Sequence, residues 1–442
     1  MKIAFFVHCF FPGHCYGTET YTFELAKQYL LAGHQVTVVS ALFQGEPTQG
    51  SLITRYEFQG VPVVQIDKNF VPHARVGETY YQPAMHEVLM QVLKELHPDL
   101  IHVTHLINHT AALLEVAQTL GIPAYATFTD FFGFCLNNKL ENASGALCKG
   151  PSPSRANCVA CHLKAAAPQA SAGSWLRHAK NSNVALAMGH SARWARRLPR
   201  LQNTEFDHVI ADIEARPNTL VALYNSSYKA AVAPTRFLAG AYQRNGVQVP
   251  LHNIHFGVDI DRAAKPSRPA GYTPVVGYIG QLAPHKGTDL LLRAFKRLGK
   301  SNARLQIFGP TDQDPAHMME LKALAQGVNV EFKGVFPKEH ISAVLKDIDL
   351  LVIPSRWYEN SPLVLLNALA THTPVLVADV AGMTEFLSPG KNGCAFERGN
   401  IDALHAELAR LLSAPEQLLE MSKTTFFDKT PHTMALETLA LY

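Results

Sequence analysis

Short apolar runs rich in β-branched and aromatic residues alternate along the chain with stretches of helical periodicity, the pattern of parallel sheets covered by helices. The first unit sets the rhythm. A strand over residues 2–8 leads to a loop ending at Gly17-Thr18, and a helix follows from about Glu19 to Ala32. Gly33 stands where a helix end takes a left-handed residue, before a strand at Val36–Val39. Further strands are predicted at Leu100–Thr104 and Ala124–Phe128, with a helix near Thr110–Leu120 between them. After an interruption at 129–205, a strand near Lys229–Ala233 and a helix near Arg236–Asn245 resume the pattern. A polar, proline-bearing stretch at 260–274 reads as a linker. Beyond it, strands at 275–279, 304–308, 329–333, 349–353 and 374–378 alternate with helices near 288–299, 315–326, 338–346 and 361–370. The expectation is an α/β protein of two Rossmann-like, doubly wound parallel-sheet domains, at 1–259 and 275–424. No short-period repeat points to a solenoid.

Composition narrows this picture. The 442 residues suit two or three domains at roughly 100–200 residues each. With 17% charged residues and 47% hydrophobic ones, disorder is excluded, and a net charge of +3 gives no argument for nucleic acid. No apolar run reaches the roughly 20 residues that span a bilayer. The opening apolar stretch is broken at His8 and lacks a small-residue cleavage site, so it reads as a buried strand rather than an export signal. Seven cysteines without an export signal do not suggest a disulfide framework, and a cytoplasmic location is expected.

In open parallel sheets, ligands bind beyond the carboxyl ends of strands, where loops enter helices. Three such loops carry candidate chemistry. Gly17-Thr18-Glu19 lets backbone approach an anion at a helix start, although a plain tight turn would explain it as well. Gly280-Gln281-Leu282-Ala283-Pro284-His285-Lys286-Gly287-Thr288 places Lys286 beside a glycine just before a helix capped by Thr288. A point charge with backbone donors suits a diphosphate, and a solvated surface lysine is the alternative. In Pro354-Ser355-Arg356-Trp357-Tyr358-Glu359-Asn360-Ser361-Pro362-Leu363, Ser361 reads as an N-cap with Pro362 at the first helical position. That leaves the N–H groups of Leu363 and Val364 for phosphate and sets Glu359 toward ligand hydroxyls, unless Glu359 merely caps the helix dipole.

These segments resemble the retaining glycosyltransferases of glycosyltransferase family 4. Residues 275–290 are similar to that family's G-R-x-x-x-x-K-G segment, and 351–377 to its P-S-x-x-E-x-x-P-L-V-x-L-E-A-x-A-x-G-x-P-V signature. Val380–Glu385 with Gly390-Lys391-Asn392-Gly393 resembles its G-G-x-x-E…G-x-N-G tail, and Gly17-Thr18-Glu19 its N-domain glycine loop. The resemblance implies the GT-B fold, two Rossmann-like domains facing a central cleft, with residues 425–442 crossing back onto the N-terminal domain. It implies transfer of a sugar from a UDP- or GDP-linked donor to a hydroxyl of a saccharide or lipid-linked saccharide, as in assembly of a polysaccharide. Glu359 would hold the donor sugar, and Lys286 would neutralise the leaving diphosphate with the N–H groups near Leu363 and Val364. Gly17, Gly280, Gln281, Asn360, Ser361 and Asn367 would line the donor site, with Gly309, Gly334 and Phe336 at the base pocket. No cofactor is required for that chemistry.

Departures from the family pattern matter. Asn367 replaces a second glutamate, Gln281 an arginine, His372 a glycine, and Thr129 the histidine of T-x-H-D-[FY]. Asp130 is the polar group left beside Thr129, so it joins Glu359 and Lys286 as a catalytic candidate. A non-catalytic nucleotide-sugar binder and a nucleotide-sugar epimerase or hydrolase on the same fold are the rival readings.

The interruption holds Cys135, Cys148, Cys158 and Cys161, and its stretch from 142 to 204 carries nine Lys and Arg and no acidic residue. Four cysteines ending in C-x-x-C suggest a structural zinc replacing an absent hydrophobic core, ahead of an iron–sulfur cluster, disulfides or reduced thiols. Some members of the resembled family carry a similar insert. Cys9, Cys15 and Cys394 read as packing residues, and His102, His105 and His109 as structural donors. The basic segment Ser174–Leu201, with Trp175, Leu176, Val184, Leu186, Met188, Trp194 and Leu198, fits either a peripheral contact with an anionic membrane or a helical insert packed on its own domain. Nucleic acid is not expected as a partner, since no reading motif accompanies the charge.

Overall fold

In the computed structural model of the chain, residues 1–46, 50–171, 174–269, 271–299 and 303–442 are described. Ala172 and Gly173 of the expected insert and Ala270 of the expected linker lie outside these. The chain divides into one unit of Met1–His255 with His432–Tyr442 and a second of Phe256–Pro431.

The first unit runs β1 (Lys2–Val7), α1 (Gly17–Leu31), β2 (Gln35–Leu42), β3 (Ile53–Phe58), β4 (Val61–Asp67), α2 (Met85–Leu96), β5 (Leu100–Val103), α3 (Ala112–Thr119) and β6 (Ala124–Thr127). It continues with α4 (Ala156–Ala166), α5 (Ser182–Ala195), α6 (Glu205–Ser227), β7 (Tyr228–Ala233), α7 (Arg236–Arg244) and β8 (Leu251–Asn253). The sheet order is β3-β4-β2-β1-β5-β6-β7-β8, parallel except for the β3–β4 pair. Gln59 and Gly60 both take positive φ there, as a two-residue hairpin turn requires. Central β1 is buried at every position but Lys2, which is why it reads as one continuous apolar run. Strand order reverses between β1 and β5, so their carboxyl ends open a crevice.

Residues 129–205 are not the coreless loop expected. α4, α5 and α6 enclose an alanine-rich core of their own, including Cys158, Val159, Ala160, Leu163, Ala185, Ala192 and Ile210. A Cβ at Gly189 would overlap the Ala156 carbonyl, so glycine permits the α4–α5 approach. Leu176, Leu186 and Met188 of the basic segment pack against that core, whereas Trp194 and Leu198 are 70% and 56% exposed.

The second unit runs β9 (Val275–Ile279), α8 (Thr288–Lys296), β10 (Arg304–Phe308), α9 (Pro315–Leu324), β11 (Val330–Gly334), α10 (Ile341–Asp347), β12 (Leu350–Ile353), α11 (Leu363–Ala370), β13 (Val375–Ala378), β14 (Gly393–Phe396), α12 (Ile401–Ser413) and α13 (Pro415–Thr424). Its sheet is wholly parallel in the order β11-β10-β9-β12-β13-β14, reversing between β9 and β12. α14 (Pro431–Leu439) follows, and Tyr442 packs in the first unit, its hydroxyl 2.6 Å from His102 Nδ1. Among the described residues no helix is long and apolar enough to cross a membrane.

Candidate functional site

In the second unit, the loops after β9 and β12 meet at the reversal of strand order, and glycines allow it. Gly287 has φ of 75°, and a Cβ there would fall inside the Pro354 carbonyl. Gly382, with φ of 91°, sits on the carbonyl of Glu359, and Gly309 on that of Gly280. Arg356 donates two hydrogen bonds of 2.7 Å to the Asp289 carboxylate at the start of α8, and its N–H bonds His285 O. Such a bidentate pair locks the loop after β12 to the helix after β9.

Within this frame Lys286 Nζ lies 2.7 Å from Glu359 Oε1 and 4.8 Å above the Trp357 ring. Ser355 Oγ and Trp357 Nε1 also donate to Glu359 Oε1, the latter at 2.9 Å. Burial pushes the Glu359 carboxyl up, but the Lys286 ammonium and these three hydrogen bonds outweigh it and hold the group below its ordinary range. Glu359 is therefore an anion in a buried site, 8% exposed, with one cation.

Helix α11 begins at Leu363, with Pro362 as its N-cap, one residue later than Ser361-Pro362 suggested. Ser361 instead takes φ of 59°, and among the described residues its buried Oγ has no partner. Proline favours an extended residue before it; the tight passage from Glu359 to the helix uses the left-handed region. The first intrahelical bond is from Leu365 N to Pro362 O, so the N–H groups of Leu363 and Val364 precede it. Asn367 lies one turn on from Leu363 along α11. Thr288 is the first residue of α8, behind Gly287 as cap, rather than the cap itself. Gly280 bonds Phe308 O through its N–H, and Gln281 O accepts from the Tyr278 hydroxyl. Gly309 N donates to Gly334 O, while Phe308 and Phe336 meet edge to face at 5.4 Å. The residues named for the donor site in this half thus share one end of one sheet. Asn360 follows Glu359 in the same loop.

The first unit gathers a second group at the carboxyl ends of β1, β5 and β6. His105 Nε2 lies 2.9 Å from Asp130 Oδ2, and Asp130 Oδ1 accepts from Phe132 N. His105 Nδ1 accepts from the Ile107 N–H, which puts the proton of a neutral ring on Nε2, facing the carboxylate. Tyr242 OH holds the Asp130 carbonyl at 3.0 Å. Thr129 Oγ1 donates to Thr104 O. The pairing of His105 with Asp130 was not foreseen; positions 25 residues apart meet only because β5 and β6 are neighbours. His109 is a buried donor, as read, to Val7 O, and buried His102 is hydrogen-bonded to Thr127 Oγ1; burial pushes His102 down to about 3 and His109 to about 4. Gly17 opens α1. Cys9 is not a plain packing residue: its thiol donates to Glu19 Oε1.

All seven cysteines are free. Cys135 bonds Asn137, Cys148 Gly150 O, Cys158 Asn157, and Cys161 Glu141 O. Burial first, then the neighbouring thiols, pushes Cys158 and Cys161 up to about 12. No three of these sulfurs lie within 4.8 Å of one another; among the described residues that spacing is met by His8, Cys9 and Glu19. In the basic segment, Arg196 pairs with Asp207 and Glu214, so α6 neutralises part of its charge.

Comparison with known proteins assigns the two halves. Residues 16–142 match the model described as Glycosyltransferase Family 4, and residues 259–426 that described as Glycosyl transferases group 1, two thirds of the chain between them. The D-inositol 3-phosphate glycosyltransferase of Nocardia farcinica is 34% identical over 158 residues, 34% of this chain and 35% of that protein. The enzyme of the same name from Mycobacterium sp. (strain KMS) is 28% identical over 245 residues, 52% and 51% of the two chains. The matches therefore span between a third and a half of these relatives. Sucrose-phosphate synthase from Thermosynechococcus elongatus superposes with a TM-score of 0.63 at 17% identity, over 100% of this chain and 98% of that one. Anabaena HepE, in complex with UDP and glucose, does so at 0.63 and 16% identity, with the same coverage. With two doubly wound parallel sheets, the GT-B fold, and both modules in this order, the chain belongs to glycosyltransferase family 4.

Proposed function

We propose that this protein is a retaining glycosyltransferase that moves a sugar from a nucleoside diphosphate donor to a hydroxyl of a saccharide or lipid-linked saccharide. The observation that carries this is the Lys286–Glu359 pair beside the opening amides of α11, at the reversal point of a parallel sheet. Cleaving an anomeric C–O bond leaves negative charge on the diphosphate and positive charge on the ring. Lys286 and the N–H groups of Leu363 and Val364 are fixed donors for the first, and Glu359 accepts from sugar hydroxyls near the second. Preorganisation matters because the donors are set before the charge develops. Gln281 and Asn367 offer neutral hydrogen bonds where the family has charge. On the N-terminal unit, Asp130, oriented by His105, is the polar group we assign to the acceptor side in place of the histidine that Thr129 replaces. The HepE complex with UDP favours a uridine donor over GDP.

Two subsidiary proposals concern the insert. Trp194 and Leu198, exposed beside Arg197 and Arg200, form the face we assign to an anionic membrane, which would keep the protein peripheral on the cytoplasmic leaflet. Co-sedimentation with phosphatidylserine vesicles, lost in Trp194→Ala/Leu198→Ala, tests this. The four insert cysteines are assigned a structural zinc. Their four thiolates would hold the ion, and the site would tie Cys135 and Cys148 to α4.

The function is tested with labelled UDP- and GDP-sugars and an acceptor panel. Transfer with retained anomeric configuration supports it. Tight binding without turnover would favour a non-catalytic binder, the reading that Thr129, Gln281 and Asn367 motivate, and release of nucleotide with no acceptor requirement a hydrolase.

A further inference from the structure

We propose that His8, Cys9 and Glu19 form a zinc-binding site at the carboxyl end of β1. One ligand atom from each lies within 4.8 Å of the other two. Cys9 Sγ is 2.8 Å from Glu19 Oε1, and His8 Nε2 is 3.4 Å from the same oxygen. His8 and Cys9 are consecutive where β1 ends, and Glu19 is the third residue of α1, so one strand-to-helix loop brings them together.

The reason to expect a cation is the environment of Glu19. Glu19 is 1% exposed, and among the described residues its buried Oε2 has no partner. The other oxygen meets a thiol, which is a weak donor, and an imidazole beyond hydrogen-bond contact. No Lys or Arg pairs with Glu19 among the described residues. Burying a carboxylate without a counter-charge is unfavourable. The amino end of α1 offsets only part of that cost. A divalent cation bound by this carboxylate would supply the missing counter-charge.

The donor set selects the metal. A thiolate, an imidazole and a carboxylate together suit zinc rather than magnesium or calcium, which take oxygen ligands. Bonds of about 2.3 Å to sulfur and 2.0–2.2 Å to nitrogen and oxygen hold ligand atoms roughly 3.3–3.8 Å apart. The His8–Glu19 separation already fits, and the Cys9–Glu19 contact has to open by somewhat under 1 Å. Binding displaces the Cys9 thiol proton to solvent, so affinity increases with pH. Three protein ligands leave a fourth position for water. The site is separate from the insert cysteines and does not depend on the proposed transfer reaction.

The test is metal content after equilibration with zinc and removal of excess, comparing the full chain with Cys9→Ser. The expected loss is one equivalent per chain, whether or not the insert cysteines hold another. Cobalt in place of zinc, loaded into a Cys158→Ser/Cys161→Ser chain, should give thiolate-to-cobalt absorption that disappears when Cys9→Ser is added. Glu19→Gln should weaken zinc binding at least tenfold, and added zinc should raise the melting temperature of the wild type by more than that of either variant. Unchanged zinc content in a Cys9→Ser protein with native circular dichroism would overturn the proposal. Should that variant not fold, zinc uptake unaffected by Glu19→Gln would overturn it equally.

Discussion

Replacing Lys286 by alanine removes an ammonium 2.7 Å from Glu359 Oε1 and leaves that carboxylate with Ser355 and Trp357 as donors. In the wild type the Glu359 carboxyl is held below its ordinary value despite burial, so it contributes stability above the unfolded pKa of roughly 4.3 that is lost as pH falls through the folded one. Without Lys286 the burial contribution dominates and the folded carboxyl rises above the unfolded value. The sign then reverses: the ionised group opposes folding at neutral pH and ceases to do so in acid. Breaking a buried pair costs about 3–5 kcal/mol. Lys286 is 22% exposed and two donors remain, which reduces the expected deficit to about 2–3 kcal/mol at pH 7. The deficit should therefore shrink on acidification. Urea unfolding of wild type and Lys286→Ala at pH 7 and at pH 4 measures both quantities. Equal stability at pH 7, or a deficit that grows on acidification, would refute the electrostatic account. If Lys286 also stabilises the leaving diphosphate, kcat falls at least tenfold, and by about 10²–10³ if its loss matches that of a single oxyanion donor.

Three further outcomes are expected. Gly287→Ala forces a side chain into the left-handed region and onto the Pro354 carbonyl, so it should cost at least about 2 kcal/mol in denaturant unfolding and weaken nucleotide binding. Asp130→Asn should lower transfer at least tenfold while UDP affinity, by calorimetry, stays unchanged. Burial pushes the Lys265 ammonium down to about 7, so the folded chain binds fewer protons than the unfolded one from pH 7 toward 10, and stability should rise over that interval. The difference between wild type and Lys265→Met isolates this term, and a difference flat with pH would contradict it.

Much of the second unit was legible because its strands are buried on both faces: 275–279 and 304–308 coincide with β9 and β10. Hairpin β3–β4 escaped notice because ITRYEF is half exposed and Pro62 interrupts its partner. A helical insert over 174–201 was one of two readings, and α5 lies within it; α4 and α6 were hidden by proline, serine and cysteine, and Pro217 sits inside α6, where sequence rules would end a helix. Among site residues, Lys286 and Glu359 stood out because they flank helix starts, a local signal. The His105–Asp130 and Cys9–Glu19 contacts depend on strand adjacency and loop path, which leave no periodic trace. The one-residue displacement of α11 follows from Ser361 adopting positive φ, which Ser-Pro alone does not announce.

The most direct test is a crystal of the protein soaked with UDP, or with GDP if UDP does not bind. The account predicts the pyrophosphate against Lys286 Nζ and the N–H groups of Leu363 and Val364, with the base near Gly309 and Phe336. A pyrophosphate bound away from Lys286, or no affinity for either nucleotide, would contradict it.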